Sequence, residues 1–63
     1  MERSAAIAEL PLPYAVALGL HESGAPPHVI ARALRIDPAG VPMVLRIARD
    51  KLVVLLAQPE PPS

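Results

Sequence analysis

The sequence contains no cysteine, no phenylalanine and no tryptophan, and Tyr14 is its one aromatic residue. The absence of cysteine excludes disulfide bridges and thiolate metal sites. The near absence of aromatic side chains means that the core has to be assembled from aliphatic residues. A chain of this length buries only about 60% of its unfolded surface, so helix packing or association with another chain must supply additional stability.

The sequence also lacks an excess of either charge, because six basic and six acidic residues cancel to a net charge of zero. Hydrophobic residues make up 52% of the chain, which is the opposite of the composition of disordered proteins. The longest uninterrupted apolar run, 52–57, is far shorter than the roughly 18 to 20 residues that a membrane span needs. Glu2 and Glu9 stand where a signal peptide would be basic and then apolar. We therefore expect a soluble cytoplasmic protein.

Nine prolines and three glycines divide the apolar residues into short segments. Pro13 suits the first turn of a helix, because its missing N–H would have no partner there, and Gly24 is a natural C-terminal stop. Residues 37–40, Asp-Pro-Ala-Gly, have the chemistry of a tight turn. Two predicted helices span 2–10 and 13–24, a third follows Pro26-Pro27 and ends near Ile36, and a fourth begins at Val41 or Pro42 and ends near Ala57.

These segments predict an all-α fold, a small three- to four-helix bundle that contains a helix-turn-helix. Apolar residues recur at helical spacing, and no stretch alternates apolar and polar residues as a strand would. We expect one domain, 1–57, followed by a Pro-rich flexible tail, 58–63. The residues predicted to be buried are Ile30 and Leu34 in the third helix and Val41, Leu45, Ala48, Leu52, Leu55 and Leu56 in the fourth.

Two helices joined by a turn of about four residues, the second longer and carrying basic side chains, indicate a helix-turn-helix. The stretch 30–52, IARALRIDPAGVPMVLRIARDKL, resembles region 4 of bacterial sigma factors, especially of the extracytoplasmic-function type. Leu10-Pro11 is similar to the pair that opens the first helix of that family, so the resemblance covers about 7–53. The family pattern is matched without a gap by Ile30, Ala31, Leu34, Ile36, Val41, Leu45, Ala48 and Leu52.

The resemblance implies a transcription-associated module that contacts promoter DNA, RNA polymerase or another transcription protein. It also implies phosphate contacts from basic residues of the recognition helix and of the helix before it. Residues 28–52 carry five basic residues against Asp37 and Asp50, a local charge of +3 that is compatible with a phosphate-binding patch. The candidate nucleic-acid-binding residues are Arg32, Arg35, Arg46, Arg49 and Lys51.

The sequence departs from the family where bases would be read. Pro42, Met43 and Val44 stand at the positions that usually hold polar and basic residues, and none of them can form a bidentate hydrogen bond with a base edge. We therefore expect any contact with duplex DNA to be weakly specific.

The last helix has more apolar residues than a single buried stripe can contain. Its apolar arc covers roughly 220° of the helical wheel, about twice the typical stripe. The first helix could fold back over the additional face, or a homodimer partner or another protein could cover it. Lys51 would then lie at the edge of the face with its charge in water. The candidate protein-interface residues are Met43, Val44, Ile47 and Val54.

Catalytic chemistry has no support in the sequence. His21 and Glu22 begin like the zinc motif H-E-x-x-H, but position 25 is alanine. No metal, cofactor or catalytic residue is predicted, and we do not expect an enzyme. The main hypothesis is the transcription-associated module, and the alternative is a homo-oligomeric or partner-docking interaction module that has lost DNA reading.

Overall fold

The computed structural model describes residues 2–58, which form four α-helices and one 3-10 turn and contain no β-strand. The predicted all-α bundle is therefore confirmed, with every helix within a few residues of its predicted bounds. The predicted flexible tail, 58–63, lies outside the described residues except for Gln58, which follows the last helix. The helices are α1 (Arg3–Glu9), α2 (Leu12–Glu22), α3 (Pro27–Leu34) and α4 (Val41–Ala57), with the 3-10 turn at Pro38–Gly40 between α3 and α4.

Proline and glycine set the two ends of α2. Pro13 lies in the first turn, where a helix tolerates a residue without an N–H. At the other end Gly24 has φ +91°, its amide donates to the His21 carbonyl at 3.1 Å, and the Ala25 amide donates to the Leu20 carbonyl at 3.0 Å. These two hydrogen bonds form a Schellman motif, which needs a left-handed residue at the position of Gly24.

The end of α3 has the same hydrogen bonds but no glycine. The Ile36 amide donates to the Ala31 carbonyl at 3.0 Å, and the Arg35 amide donates to the Arg32 carbonyl at 3.3 Å. Arg35 consequently has φ 58°, a left-handed conformation that costs a residue with a Cβ about 1–2 kcal/mol. The turn into α4 therefore carries local strain at an exposed arginine.

Arg35→Gly should stabilise the protein by about 0.5–1 kcal/mol, because glycine adopts the left-handed conformation without a Cβ clash. Arg32→Gly is the matched control: Arg32 lies inside α3, is also exposed, and its replacement by glycine should cost about 1 kcal/mol of helix propensity. Urea denaturation followed by circular dichroism measures both. A loss of stability in Arg35→Gly comparable to that in Arg32→Gly would contradict the strain at this turn.

The core is aliphatic throughout and is organised around α2, which packs against α1, α3 and α4. Four of the ten buried residues of the core are alanines, and their small side chains let the helices approach closely at those points. The largest fully buried side chains are Leu18, Ile30 and Val41. The full set of buried residues is Ala6, Leu10, Ala17, Leu18, Ile30, Ala31, Val41, Leu45, Ala48 and Leu52.

Most of the predicted core is buried, but three positions differ from the prediction. Leu34 and Leu55 are half-buried and pack on the edge of the core, because each lies near the end of its helix. Leu56 is exposed, so its assignment to the core stripe is wrong. It follows the last buried residue of α4 by about one helical turn and lies on the flank of the stripe, beyond the part of the helix that the core covers.

Candidate interaction surface

The side of α4 that points away from the core is largely apolar. At 100° per residue, Met43, Ile47 and Val54 lie within about 40° of one another and roughly opposite to the buried Leu52. Met43 is 58% exposed, Val54 is 59% exposed, and Ile47 is half-buried. Asp50 lies about 60° from Ile47 on the same side. We call this surface, made of Met43, Ile47, Asp50 and Val54, the outer face of α4.

Two valines of α4 lie off the outer face. Val44, a predicted interface residue, is half-buried and packs against the core. Val53 is 64% exposed but lies about 100° from Val54 on the helical wheel, so it is on a different flank. Sequence reasoning did not single out Val53, although the same wheel places it outside the core stripe.

The first helix reaches α4 without covering the outer face. α1 contacts both α2 and α4, and an open groove of about 320 Å³ remains between 9–11 and the second half of α4. Val54, which lines this groove, is 59% exposed, and Met43, in the first turn of α4, is 58% exposed. The alternative in which the first helix covers this surface is therefore wrong for both residues. The groove is lined by Glu9, Leu10, Pro11, Lys51, Val54 and Leu55.

The charge within the outer face is Asp50 rather than Lys51. The Lys51 Nζ lies 5.5 Å from the centroid of the Tyr14 ring, a cation–π contact that joins α4 to α2. Lys51 lies on the flank of α4 that faces Tyr14, about 100° from Asp50 on the helical wheel. Any helix that packs on the outer face would thus meet a carboxylate in the middle of an apolar stripe.

The structure divides the five candidate nucleic-acid-binding residues. All are exposed, but Arg49 Nη2 lies 3.1 Å from His21 Nε2, and Lys51 contacts Tyr14. Because a guanidinium can only donate, the His21 Nε2 is the acceptor of this bond. Arg49 and Lys51 lie about 160° apart on opposite flanks of α4, so they cannot belong to one narrow phosphate-binding patch. The other three candidates are Arg32, Arg35 and Arg46, which are exposed on α3, the turn and α4.

Polar chemistry in the described part of the chain is confined to its surface. Within residues 2–58 no polar or charged residue is buried, and no group of three or more His, Asp or Glu residues is placed to hold a metal ion. None of the four helices is both long enough and apolar enough to cross a membrane. The outer face of α4 and the exposed arginines are thus the features of residues 2–58 from which a binding function can be argued.

No protein-family model matches the chain, and comparison with curated proteins and with solved structures finds no significant match.

Proposed function

We propose that this chain is a transcription-associated helix-turn-helix module that acts by protein association through the outer face of α4. The observation that carries the proposal is the exposure of Met43 and Val54, each more than half accessible on a helix whose opposite side already forms the core. Burying such a side chain contributes roughly 1.5–3 kcal/mol, so an uncovered stripe of this kind favours a protein partner. The link to transcription rests on the resemblance of 30–52 to sigma factor region 4.

The same helix is poorly equipped to read DNA. The first turn of α4 presents Pro42 and Met43 to solvent, and neither side chain can hydrogen-bond to a base edge. Of the three exposed basic residues of α4, Arg49 and Lys51 contact side chains of α2, and Arg46 does not. Contact with duplex DNA is therefore limited to phosphates in this proposal, from Arg46 together with Arg32 and Arg35.

Ile47→Glu should weaken protein association about tenfold or more, because it removes an apolar contact and places a second carboxylate near Asp50. Sedimentation velocity should be run on the chain alone and on its mixture with purified core RNA polymerase of the same organism. Val53→Glu is the matched control, since it makes the same kind of change at an exposed valine of α4 outside the outer face. The control should alter the association constant by no more than about twofold.

The DNA contact is tested with a fluorescent random duplex titrated at several salt concentrations. The slope of log affinity against log salt should be about −2.7 for three neutralised phosphates, and Arg46→Ala should reduce its magnitude by about one unit without a change in sequence preference. Two results together would overturn the proposed function. The first is duplex binding that discriminates single base changes. The second is that Ile47→Glu leaves unchanged both the self-association of the chain and its binding to the polymerase.

A further inference from the structure

We infer that His21 is a pH-dependent switch for phosphate binding: in its neutral form it holds Arg49 against α2, and in its protonated form it releases Arg49 to contact a phosphate. This inference rests on the proposed function, because it adds a regulated contact to the phosphate binding proposed for Arg46, Arg32 and Arg35. It is carried by the hydrogen bond between Arg49 and His21 and by the position of Arg46 beside Arg49 on α4.

The bond between α4 and α2 can form only when the His21 ring is neutral. Arg49 Nη2 lies 3.1 Å from His21 Nε2, and a guanidinium can only donate, so the lone pair of Nε2 must accept the bond. A protonated imidazole has an N–H on both ring nitrogens and no lone pair to offer. It also places a second positive charge beside the guanidinium. Protonation of His21 therefore removes the bond and separates the two side chains.

The other charges near His21 are already paired or point elsewhere. Glu22 follows His21 on α2 and forms an ion pair with Arg3 of α1, so each of these two charges is matched by the other. On α4, Asp50 lies about 100° from Arg49 on the helical wheel. Within residues 2–58, no charged side chain of α3 is in polar contact with α2. Among these residues Arg49 is thus the charged group that faces the His21 ring.

Once released from His21, Arg49 joins a second arginine. Arg46 precedes Arg49 by three residues, so the two lie on neighbouring turns and about 60° apart on the same flank of α4. Both arginines and His21 are exposed. Two guanidinium groups at this spacing, with an imidazolium beside them, can bind backbone phosphates through charge-assisted hydrogen bonds. Acidification therefore adds Arg49 and His21 to the cations that are available to phosphate.

The salt dependence of duplex binding measures the switch, because its slope counts the phosphates that the protein neutralises. A fluorescent random duplex should be titrated at about pH 8 and at about pH 5.5, on either side of the range in which histidine ordinarily changes its charge. The slope of log affinity against log salt should be about −2.7 at the higher pH, for three phosphates, and about −4.5 at the lower pH, for five. The difference is the contribution of Arg49 and of protonated His21.

Three variants assign the pH dependence to this pair of residues. His21→Gln keeps an acceptor for Arg49 but does not titrate, so its slope should stay at about −2.7 at both pH values. Arg49→Ala should steepen by no more than about one unit on acidification, because one of the two added cations is missing. His28→Gln is the matched control, since His28 is the other histidine of the chain, and it should keep most of the difference. Loss of the pH dependence in His28→Gln, or its persistence in His21→Gln, would overturn the inference.

NMR tests the bond in the absence of DNA. In the isotope-labelled chain, the Arg49 Nε–Hε resonance should move in step with the His21 ring resonances between about pH 8 and about pH 5.5. The same resonance should stay in place in His21→Gln. An Arg49 resonance that is constant while the His21 ring titrates would show that the two side chains are not hydrogen-bonded, and the switch would then have no basis.

The outcomes separate this inference from the proposed function. A slope of about −2.7 at both pH values in the natural chain would overturn the switch and leave the phosphate contacts of the proposed function in place. The absence of duplex binding at both pH values would overturn the switch together with those phosphate contacts. Protein association through the outer face of α4 is tested separately, by Ile47→Glu against Val53→Glu, and does not involve His21.

Discussion

Leu18→Ala should remove about half of the free energy of unfolding of the protein at 25 °C. Leu18 lies in α2, which packs against the other three helices and most extensively against α4, and its side chain is 1% exposed. Truncating a buried leucine to alanine costs about 2–5 kcal/mol, from the lost transfer energy and from the cavity that remains. The total stability of a domain of 63 residues is on the order of 3–9 kcal/mol, so a loss of this size removes about half of it.

Leu12→Ala provides the comparison for Leu18→Ala within the same helix. Leu12 is 75% exposed at the start of α2, so its truncation should change the free energy of unfolding by less than about 0.5 kcal/mol. Circular dichroism at 25 °C and thermal melting distinguish the two variants. Equal losses in both would mean that Leu18 is not part of the core. A loss below about 1 kcal/mol in Leu18→Ala would mean that the site collapses without leaving a cavity.

The helix ends could be predicted because they depend on local chemistry. Pro13 lacks the N–H that a first turn leaves unpaired, and Gly24 supplies the left-handed residue that ends α2. The turn before α4 could also be predicted, because aspartate stabilises turns through hydrogen bonds with nearby backbone amides. In the structure the Asp37 carboxylate accepts a hydrogen bond from the Ala39 amide at 2.8 Å. Each of these signals acts within a few residues, so no knowledge of the tertiary structure was needed.

The sequence was less informative where a side chain meets another helix. Arg49 and Lys51 share a basic stretch of sequence, but α2 places His21 beside one and Tyr14 beside the other. The prediction of one basic patch could not take these contacts into account, because they join residues that are 28 and 37 positions apart in the sequence. The half-buried state of Val44 likewise depends on how the core closes, which the periodicity of α4 alone does not determine.

The candidate surface was predicted in outline for a simple reason. A helix whose apolar arc is wider than one stripe must have some of its apolar residues outside the core, whatever the rest of the bundle does. Which residues those are depends on packing: Met43 and Val54 are exposed, while Val44 packs inward. The rotation of α4 is set by its buried residues Val41, Leu45, Ala48 and Leu52, and this rotation places Asp50 beside the exposed Met43 and Val54.

Ala48→Leu should destabilise the protein by about 1–3 kcal/mol, for the opposite reason to Leu18→Ala. Ala48 is completely buried on the core side of α4, and α2 is the helix packed most extensively against α4. A leucine there adds three carbon atoms where no solvent-accessible space remains, so α4 must move away from the core or its neighbours must leave their rotamers. Urea denaturation gives the size of the effect.

Ala33→Leu is the matched control for Ala48→Leu, because it adds the same atoms at an exposed position of α3 and should shift the stability by less than about 0.5 kcal/mol. Movement of α4 should also break the bond between Arg49 and His21, which spans the contact between α4 and α2. The NMR resonances of the His21 ring should therefore shift in Ala48→Leu and stay in place in Ala33→Leu. An Ala48→Leu variant of natural stability with an unshifted His21 ring would show that α2 and α4 are not in close contact at this alanine.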